Sequence, residues 1–372
     1  MKIAIDCRSL RKPPAGVPNF LLSVVNSLAI QKKDWTIYLL SNEDFHEEVK
    51  DRLVDSVNVI KVIEPLFAFK STAILWYILK IPFLVRRLKV DIFYTPIPNL
   101  PFFLPAKTKT VITLHDMVYK YFPETMSAMN LAINFFLHDR SVRKADFIWT
   151  VSEYTKRETE LIFPDRRAIK IFVGSAVDKK IFHPQAVSAE EKQSTRSRFQ
   201  LSEKFIFFVG TLEPRKNLKF LLSLMPLLTS HGFSLLIAGA EGWGKSDLKV
   251  PDNVPEERIK FSGYIPISEL VRLYNVADVY VSASLNEGFG LPQLEAMCCG
   301  CPVVSSHNSA MIEIVDGAGE TVTGWNKSEW ISTILKVAHN RDYYIARGLQ
   351  RAEKYNWDLI IQQLVNYIDK KY

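Results

Sequence analysis

The 372-residue chain is too long for one ordinary α/β domain and long enough for two. Hydrophobic residues at 48% and charged residues at 23% exclude a disordered or collagen-like chain. The net charge of +7 is uneven: residues 1–185 carry 27 Lys+Arg against 19 Asp+Glu, and the remainder 20 against 21. A basic first half points to an anionic partner, usually nucleic acid or a membrane surface. No Cys/His finger, aromatic RNA-binding signature or dense Lys/Arg run supports nucleic acid.

From the N-terminus, KIAID opens directly as a strand, so no signal peptide is expected. WTIYLL, VNVIKVI, VDIFYT, TVITLH, ADFIWTVS and IKIFVGSA follow as further apolar, β-branched or aromatic strands. The apolar neighbourhood Leu66–Leu88 is broken by Lys70, Lys80, Arg86 and Arg87, whereas a spanning helix needs about 18 unbroken apolar residues. It reads either as a helix packed on the sheet with snorkelling cations or as a surface for anionic lipid. Phe67, Phe69, Trp76, Tyr77 and Phe83 are its aromatic residues.

His183–Ser202 is polar, lacks apolar periodicity and reads as a linker. A second strand series begins at FIFFVG and runs through FSLLIAG, IKFSGY, DVYVSAS and PVVSS. Arg351–Tyr372 reads as an amphipathic helix. Near-continuous apolar strands separated by helices predict an α/β fold of two doubly wound, Rossmann-like domains with parallel sheets. The expected boundaries are 1–185, 186–350 and a C-terminal helix at 351–372 that packs back on the first domain. Ligands bind at the carboxyl ends of such strands, and a central cleft faced by both domains is the expected site. Cys7, Cys298, Cys299 and Cys301 match neither a disulfide framework nor a zinc spacing and read as buried thiols in a reducing cytoplasm.

Four segments carry candidate chemistry. Gly16, after the first strand and before a helix, is either a phosphate-approach glycine or an ordinary turn. His115 closes an apolar strand, where a histidine either donates to a hydroxyl or oxyanion, shuttles a proton, or is structural. Arg215 and Lys216 lie at a strand–helix junction after Gly210, where two cations suit a diphosphate.

The strongest segment is VYVSASLNEGFGLPQLEAMCCGCPVV. Glu287, Gly288, Phe289 and Gly290 form a loop, and a helix is expected from Pro292. The backbone N–H groups of Gly290 and Leu291 can cradle a phosphate at its N-terminus. Carboxylates repel phosphate but accept from hydroxyls, so Glu287 and Glu295 beside such a cradle suit a sugar nucleotide. The bland alternative is a solvated Glu287 and a Glu295 that complements the helix dipole. Gly239–Ser246 matches the G-x-x-x-x-G-K-[ST] phosphate loop, but only four residues separate Ser246 from Pro251, too few for the helix that mechanism needs.

The segment E-G-F-G-L-P-Q-L-E resembles the E-x7-E motif of retaining GT-B glycosyltransferases of family 4. GVPNF, LHD, DFIWTVSEYTKRE, KIFVGSAVDKKIFHP, VGTLEPRKN and GYIPISELVRLYNVADVYVSAS extend the resemblance over nearly the whole chain, in the family's order. The resemblance implies that Glu287 contacts donor-sugar hydroxyls, Glu295 holds the ribose diol, and Arg215 and Lys216 neutralise the leaving diphosphate. It further implies that His115 bonds the donor sugar and that the backbone around Gly263, Tyr264 and Ile265 meets the nucleobase.

Thr211 stands where many family members have Arg, which shifts diphosphate neutralisation onto Arg215 and Lys216. Ser175-Ala176 replaces the usual Asn-Gly, and Met311-Ile312-Glu313 replaces the usual Pro-Glu. The family's chemistry implies retention of configuration, with no cofactor beyond the nucleotide-sugar substrate. No Asp-x-Asp occurs, and no divalent metal is expected. The motif variant resembles mannosyltransferases of bacterial surface polysaccharide assembly, including lipopolysaccharide O-antigen. That implies GDP-mannose as donor, UDP-hexoses next, and a saccharide or polyprenyl-linked glycan acceptor at the cytoplasmic membrane face. The basic first domain would be the point of peripheral membrane contact. Competing readings are a phosphate-loop NTPase, a GT-B epimerase or phosphorylase, and a catalytically idle lectin-like subunit.

Overall fold

The computed structural model describes residues 1–65, 73–126, 131–132, 134–166, 170–242 and 248–369. The chain divides into two compact units. The first comprises Met1–Met117, Met129–Ala176 and Asn356–Tyr372; the second comprises Val118–Ala128 and Val177–Tyr355. The main division thus falls at 176/177, ahead of the position expected from the polar stretch.

Unit one is built on seven strands: β1 (Lys2–Asp6), β2 (Thr36–Ser41), β3 (Val59–Ile63), β4 (Ile92–Thr95), β5 (Lys109–Leu114), β6 (Phe147–Thr150) and β7 (Lys170–Val173). Their order is β3-β2-β1-β4-β5-β6-β7, every pair parallel. The order reverses direction at β1/β4, the position where an open α/β sheet binds ligands beyond its carboxyl ends. Trp149 of β6 anchors the core, with Phe20, Phe172 and Trp357 against it and Tyr94 stacked at 5.9 Å.

Unit two has six strands: β8 (Lys204–Val209), β9 (Phe233–Ala238), β10 (Ile259–Gly263), β11 (Val279–Ser282), β12 (Val303–Ser306) and β13 (Glu320–Val322). Their order is β10-β9-β8-β11-β12-β13, again parallel, and reverses at β8/β11. Leu221, Leu224 and Met225 of helix Leu218–Ser230 and Trp330 and Ile334 of helix Lys327–His339 cover the buried strand residues Ile206, Leu235 and Val281. The carboxyl ends of β8 and β9 approach so closely that a Cβ on Gly239 would lie 1.9 Å from the Gly210 carbonyl oxygen.

Several sequence expectations need correction. The supposed linker contains helix Ala189–Arg198, closed by a capping box in which Ser188 Oγ accepts from Glu191 N (3.2 Å) and Glu191 accepts from Ser188 N (2.9 Å). Ser188-x-x-Glu191 is the sequence signature of that cap, and the helix was hidden because its exposed surface has no apolar stripe. The expected C-terminal helix is interrupted: Arg351 and Ala352 end helix Arg341–Ala352, and a separate helix runs Trp357–Asp369. It belongs to unit one, where Gln31 Nε2 donates to the Asp358 carbonyl (3.0 Å) and Lys32 pairs with Asp369 (3.5 Å). Strand β13 had no counterpart in the sequence reading.

Helix Ala73–Leu88 buries Trp76, Tyr77, Ile81, Leu84 and Val85 and leaves Leu79 and Phe83 exposed. Among the described residues, no helix is long and apolar enough to cross a membrane. Phe67, Phe69 and Lys70 lie outside the described residues. The four cysteines are free and buried, and burial raises the thiols of Cys298 and Cys301 to about 12.

Candidate active site

The turn after β8 is made by Glu213-Pro214-Arg215-Lys216 and closed by Asn217 in the left-handed region at φ 51°. Pro214 opens a single 3-10 turn, which puts consecutive cations at the start of helix Leu218–Ser230. Both side chains run to the loop after β11. Lys216 Nζ donates to Glu287 Oε1 (2.6 Å), and Arg215 Nη1 donates to Glu287 Oε2 (2.8 Å) and to the Asn286 carbonyl (2.7 Å). Arg215 Nη2 pairs with Glu213 Oε1, and Ser284 Oγ donates to Glu287 Oε1 (2.8 Å). The Glu287 backbone is also held, its N–H donating to Ser309 Oγ (3.0 Å) and its carbonyl accepting from Ala310 N (3.3 Å).

Glu213, Lys216, Ser284 and Glu287 are all buried. Burial alone would raise the Glu287 carboxyl, but the charges of Lys216 and Arg215 and the hydrogen bonds from Lys216 and Ser284 outweigh it and hold the group at about 2. The site therefore carries a carboxylate that stays ionised at neutral pH, at the reversal point of the second sheet. Thr211, in the position the family's motif gives to Arg, is exposed.

Gly290 caps helix Leu291–Cys298 at φ 100°, a conformation that L side chains rarely adopt, and it has no side-chain cap. The helix starts at Leu291, one residue ahead of expectation, with Pro292 in its first turn. Gly288 belongs to the same loop. Phe289 is buried edge-on to Tyr355 (5.7 Å), which makes it a packing anchor of the loop. Glu295 does not join Glu287. Its Oε2 accepts from the Tyr274 hydroxyl (3.0 Å), and with no cation partner among the described residues its carboxyl is raised by burial to about 7. Gly263 closes β10 at φ 67° with open space where a Cβ would be, followed by half-exposed Tyr264 and partly buried Ile265.

Gly16 and His115 belong to unit one. Gly16 precedes helix Val17–Gln31 at φ 54°, with no atom within 4 Å of a built Cβ. His115 packs edge-on against Phe20 (5.0 Å), and its Nε2 lies 2.8 Å from the Pro96 carbonyl. A carbonyl only accepts, so Nε2 carries the hydrogen. Burial lowers the ring's affinity for a second proton, which leaves Nδ1 as an acceptor. The geometry therefore offers an acceptor at Nδ1, where the sequence left open donation to a hydroxyl or oxyanion, proton shuttling and a structural role.

The phosphate-loop match gains nothing. Lys245 and Ser246 lie outside the described residues, and among those described no helix follows between Leu248 and Pro255. Glu213 was missed by sequence reasoning, though a glutamate immediately before Pro-Arg-Lys was available as a signal.

A relative from Escherichia coli, named O-antigen chain mannosyltransferase B, is 30% identical across 98% of this chain and 99% of its own. The family model described as Glycosyltransferase Family 4 matches residues 14–171, and Glycosyl transferases group 1 matches 189–346. The chain belongs to glycosyltransferase family 4. Its fold is that of the solved GT-B enzymes: the Anabaena protein HepE in complex with UDP-glucose superimposes with a TM-score of 0.74 at 17% identity over the whole of both chains. WaaG, a glycosyltransferase involved in lipopolysaccharide biosynthesis, gives 0.71 at 12% identity over 98% of each. This family 4 glycosyltransferase thus presents its buried charge cluster inside the group 1 segment and its histidine inside the family 4 segment.

Proposed function

We propose that the chain transfers a hexose, mannose from GDP-mannose first and a UDP-hexose next, to a saccharide or polyprenyl-linked glycan, with retention and without a divalent metal. The observation that carries this reading is the buried Glu287–Lys216–Arg215 cluster at the β8/β11 reversal. Glu287 would accept a donor-sugar hydroxyl, and Lys216 would meet the charge that develops on the departing diphosphate. The amides of Gly290 and Leu291 would approach a phosphate, Glu295 the ribose diol, and Gly263, Tyr264 and Ile265 the base. His115 Nδ1 would accept a sugar hydroxyl. A lysine at the leaving group supplies the positive charge that a metal supplies elsewhere, which supports metal independence. The mannosyltransferase relative supports the choice of sugar.

Peripheral contact with an anionic membrane is part of the proposal, because the acceptor would be lipid-linked. It is supported by exposed Phe83, Phe102 and Phe103 in unit one, with Lys80 and Arg87 each 5.5 Å from the Phe83 ring and Arg140 4.1 Å from that of Phe102.

Transfer from GDP-mannose, UDP-glucose and ADP-glucose to lipid-linked saccharide, with and without EDTA, tests the reading. Transfer from one donor, undiminished by EDTA and with α-linked product, is the expected result. Inverted product, loss with EDTA or donor isomerisation without acceptor would refute the corresponding part.

A further inference from the structure

The cations at the β8 turn look alike in sequence, yet their side chains are committed differently. Lys216 spends one hydrogen on Glu287 Oε1. Its ammonium has three to give. Arg215 has both terminal nitrogens engaged, Nη2 by Glu213 and Nη1 by Glu287 and the Asn286 carbonyl. The turn and loop are joined a second time through their backbones, Leu285 N donating to the Arg215 carbonyl (2.8 Å).

We propose that Arg215 is a brace between the turn and the loop, not a diphosphate ligand, and that buried Glu213 is the positioning residue that sets this brace. The inference rests on the reading of Glu287 and Lys216 as the donor-sugar and diphosphate contacts. If Arg215 swung toward a diphosphate, Glu213 would be left buried without its cation and Glu287 would lose one of two, each a costly change.

The brace has a stereochemical consequence. Among the described residues, Glu287 Oε1 already accepts from Lys216 and Ser284, which fills both its lone pairs, whereas Oε2 accepts from Arg215 alone. A single acceptor position remains on Glu287, and it lies on the oxygen that Arg215 holds. Glu213 therefore acts on the sugar through Arg215 and Oε2. The four side chains, two acidic and two basic, sum to no net charge. Lys216, held by a single carboxylate oxygen, can turn its remaining hydrogens to a diphosphate without breaking that pair, whereas Arg215 would have to leave two carboxylates.

The experiment compares Glu213→Gln, Arg215→Lys and Lys216→Met by steady-state transfer and by calorimetric binding of the free nucleoside diphosphate. Glu213→Gln and Arg215→Lys are expected to lower kcat about 10- to 100-fold while leaving donor KM and the nucleoside diphosphate Kd within about threefold. Lys216→Met is expected to weaken the same Kd by more than about tenfold. An Arg215→Lys variant that weakens Kd as much as Lys216→Met, or a Glu213→Gln variant with unchanged kcat, overturns the proposal. Should either variant fail to fold, Glu213→Asp, which keeps the charge but shortens the reach, carries the same comparison of kcat with Kd. Wild-type protein that binds no nucleoside diphosphate would instead overturn the donor-site reading itself, and this inference with it.

Discussion

Glu287 and Glu295 lie eight residues apart, one in the loop after β11 and one in the helix that follows, and burial acts on both in the same direction. The first is nevertheless held at about 2 and the second raised to about 7. The difference lies in their partners. Glu287 has an ammonium and a guanidinium within hydrogen-bond distance, whereas Glu295 has one neutral phenol. Glu158 in unit one makes the same point: buried, with no cation partner among the described residues, it too is raised to about 7. Depth of burial does not fix the charge of a carboxylate in this protein; the cations brought to it from another segment do. The loop is thereby set as a fixed anion and the helix as a group that titrates near neutrality.

Lys216→Met breaks the comparison at its strongest point and should have the largest effect. On the proposed role of Lys216 at the leaving group, transfer is expected to fall by about 10²- to 10³-fold, the usual cost of removing a charge aimed at a developing anion. The same change should move Glu287 toward Glu295 in behaviour. A carboxyl held below its ordinary 4.5 adds stability above that pH and loses it as pH falls toward about 2. Urea midpoints measured across that acid window should therefore show a shallower decline in the variant than in the wild type. An unchanged decline would mean that Arg215 and Ser284 suffice to hold the carboxylate.

The alternation of apolar strands with helices made the two sheets legible, because KIAID, FIFFVG or DVYVSAS cannot be buried on one face only. Strand β13 escaped because its three residues, Glu320–Val322, are flanked by glycine and polar residues and gain their order from β12. Helix Ala189–Arg198 has no apolar periodicity, and its cap is the sequence signature it carries. At the site, the residue types and their strand-end positions were readable, but their connections were not. Arg215 and Glu287 are 72 positions apart, and only the parallel neighbours β8 and β11 bring them together. The fates of Phe289, turned inward against Tyr355, and of His115 Nε2, spent on Pro96, likewise depend on contacts that local pattern does not contain.

Glu295→Gln sharpens the comparison from the other side, with an intermediate effect. If the ionised Glu295 holds a ribose diol, nucleoside diphosphate affinity should rise with pH up to about 7 and fall below it, approaching about tenfold per unit. Fold stability should run the opposite way. The raised carboxyl binds its proton more tightly in the folded chain than in the unfolded one, so stability falls as pH rises from about 4.5 to about 7. Calorimetric affinity and urea unfolding over the same pH series would check both signs. Glu295→Gln should flatten the two profiles together, and an affinity profile that keeps its acid limb in the variant would assign that limb to another group.

Tyr274→Phe is the smallest and most selective change. Its hydroxyl donates to Glu295 Oε2 and is the one interaction that draws this carboxyl back down against burial. Without it the charged form loses its hydrogen bond, and the carboxyl should titrate at a higher pH than in the wild type. If Glu295 holds the ribose diol, the acid limb of nucleoside diphosphate affinity should then move upward, while affinity well above it changes little, because the carboxylate is ionised there with or without the phenol. Tyr274 also packs against Phe207 and Tyr280, contacts that a phenylalanine retains, so the urea midpoint at high pH should stay near the wild-type value. A limb that stays in place would show that water or a neighbouring donor replaces the phenol. A loss of affinity at every pH would instead mean that the phenol acts on the ligand site by more than its bond to Glu295.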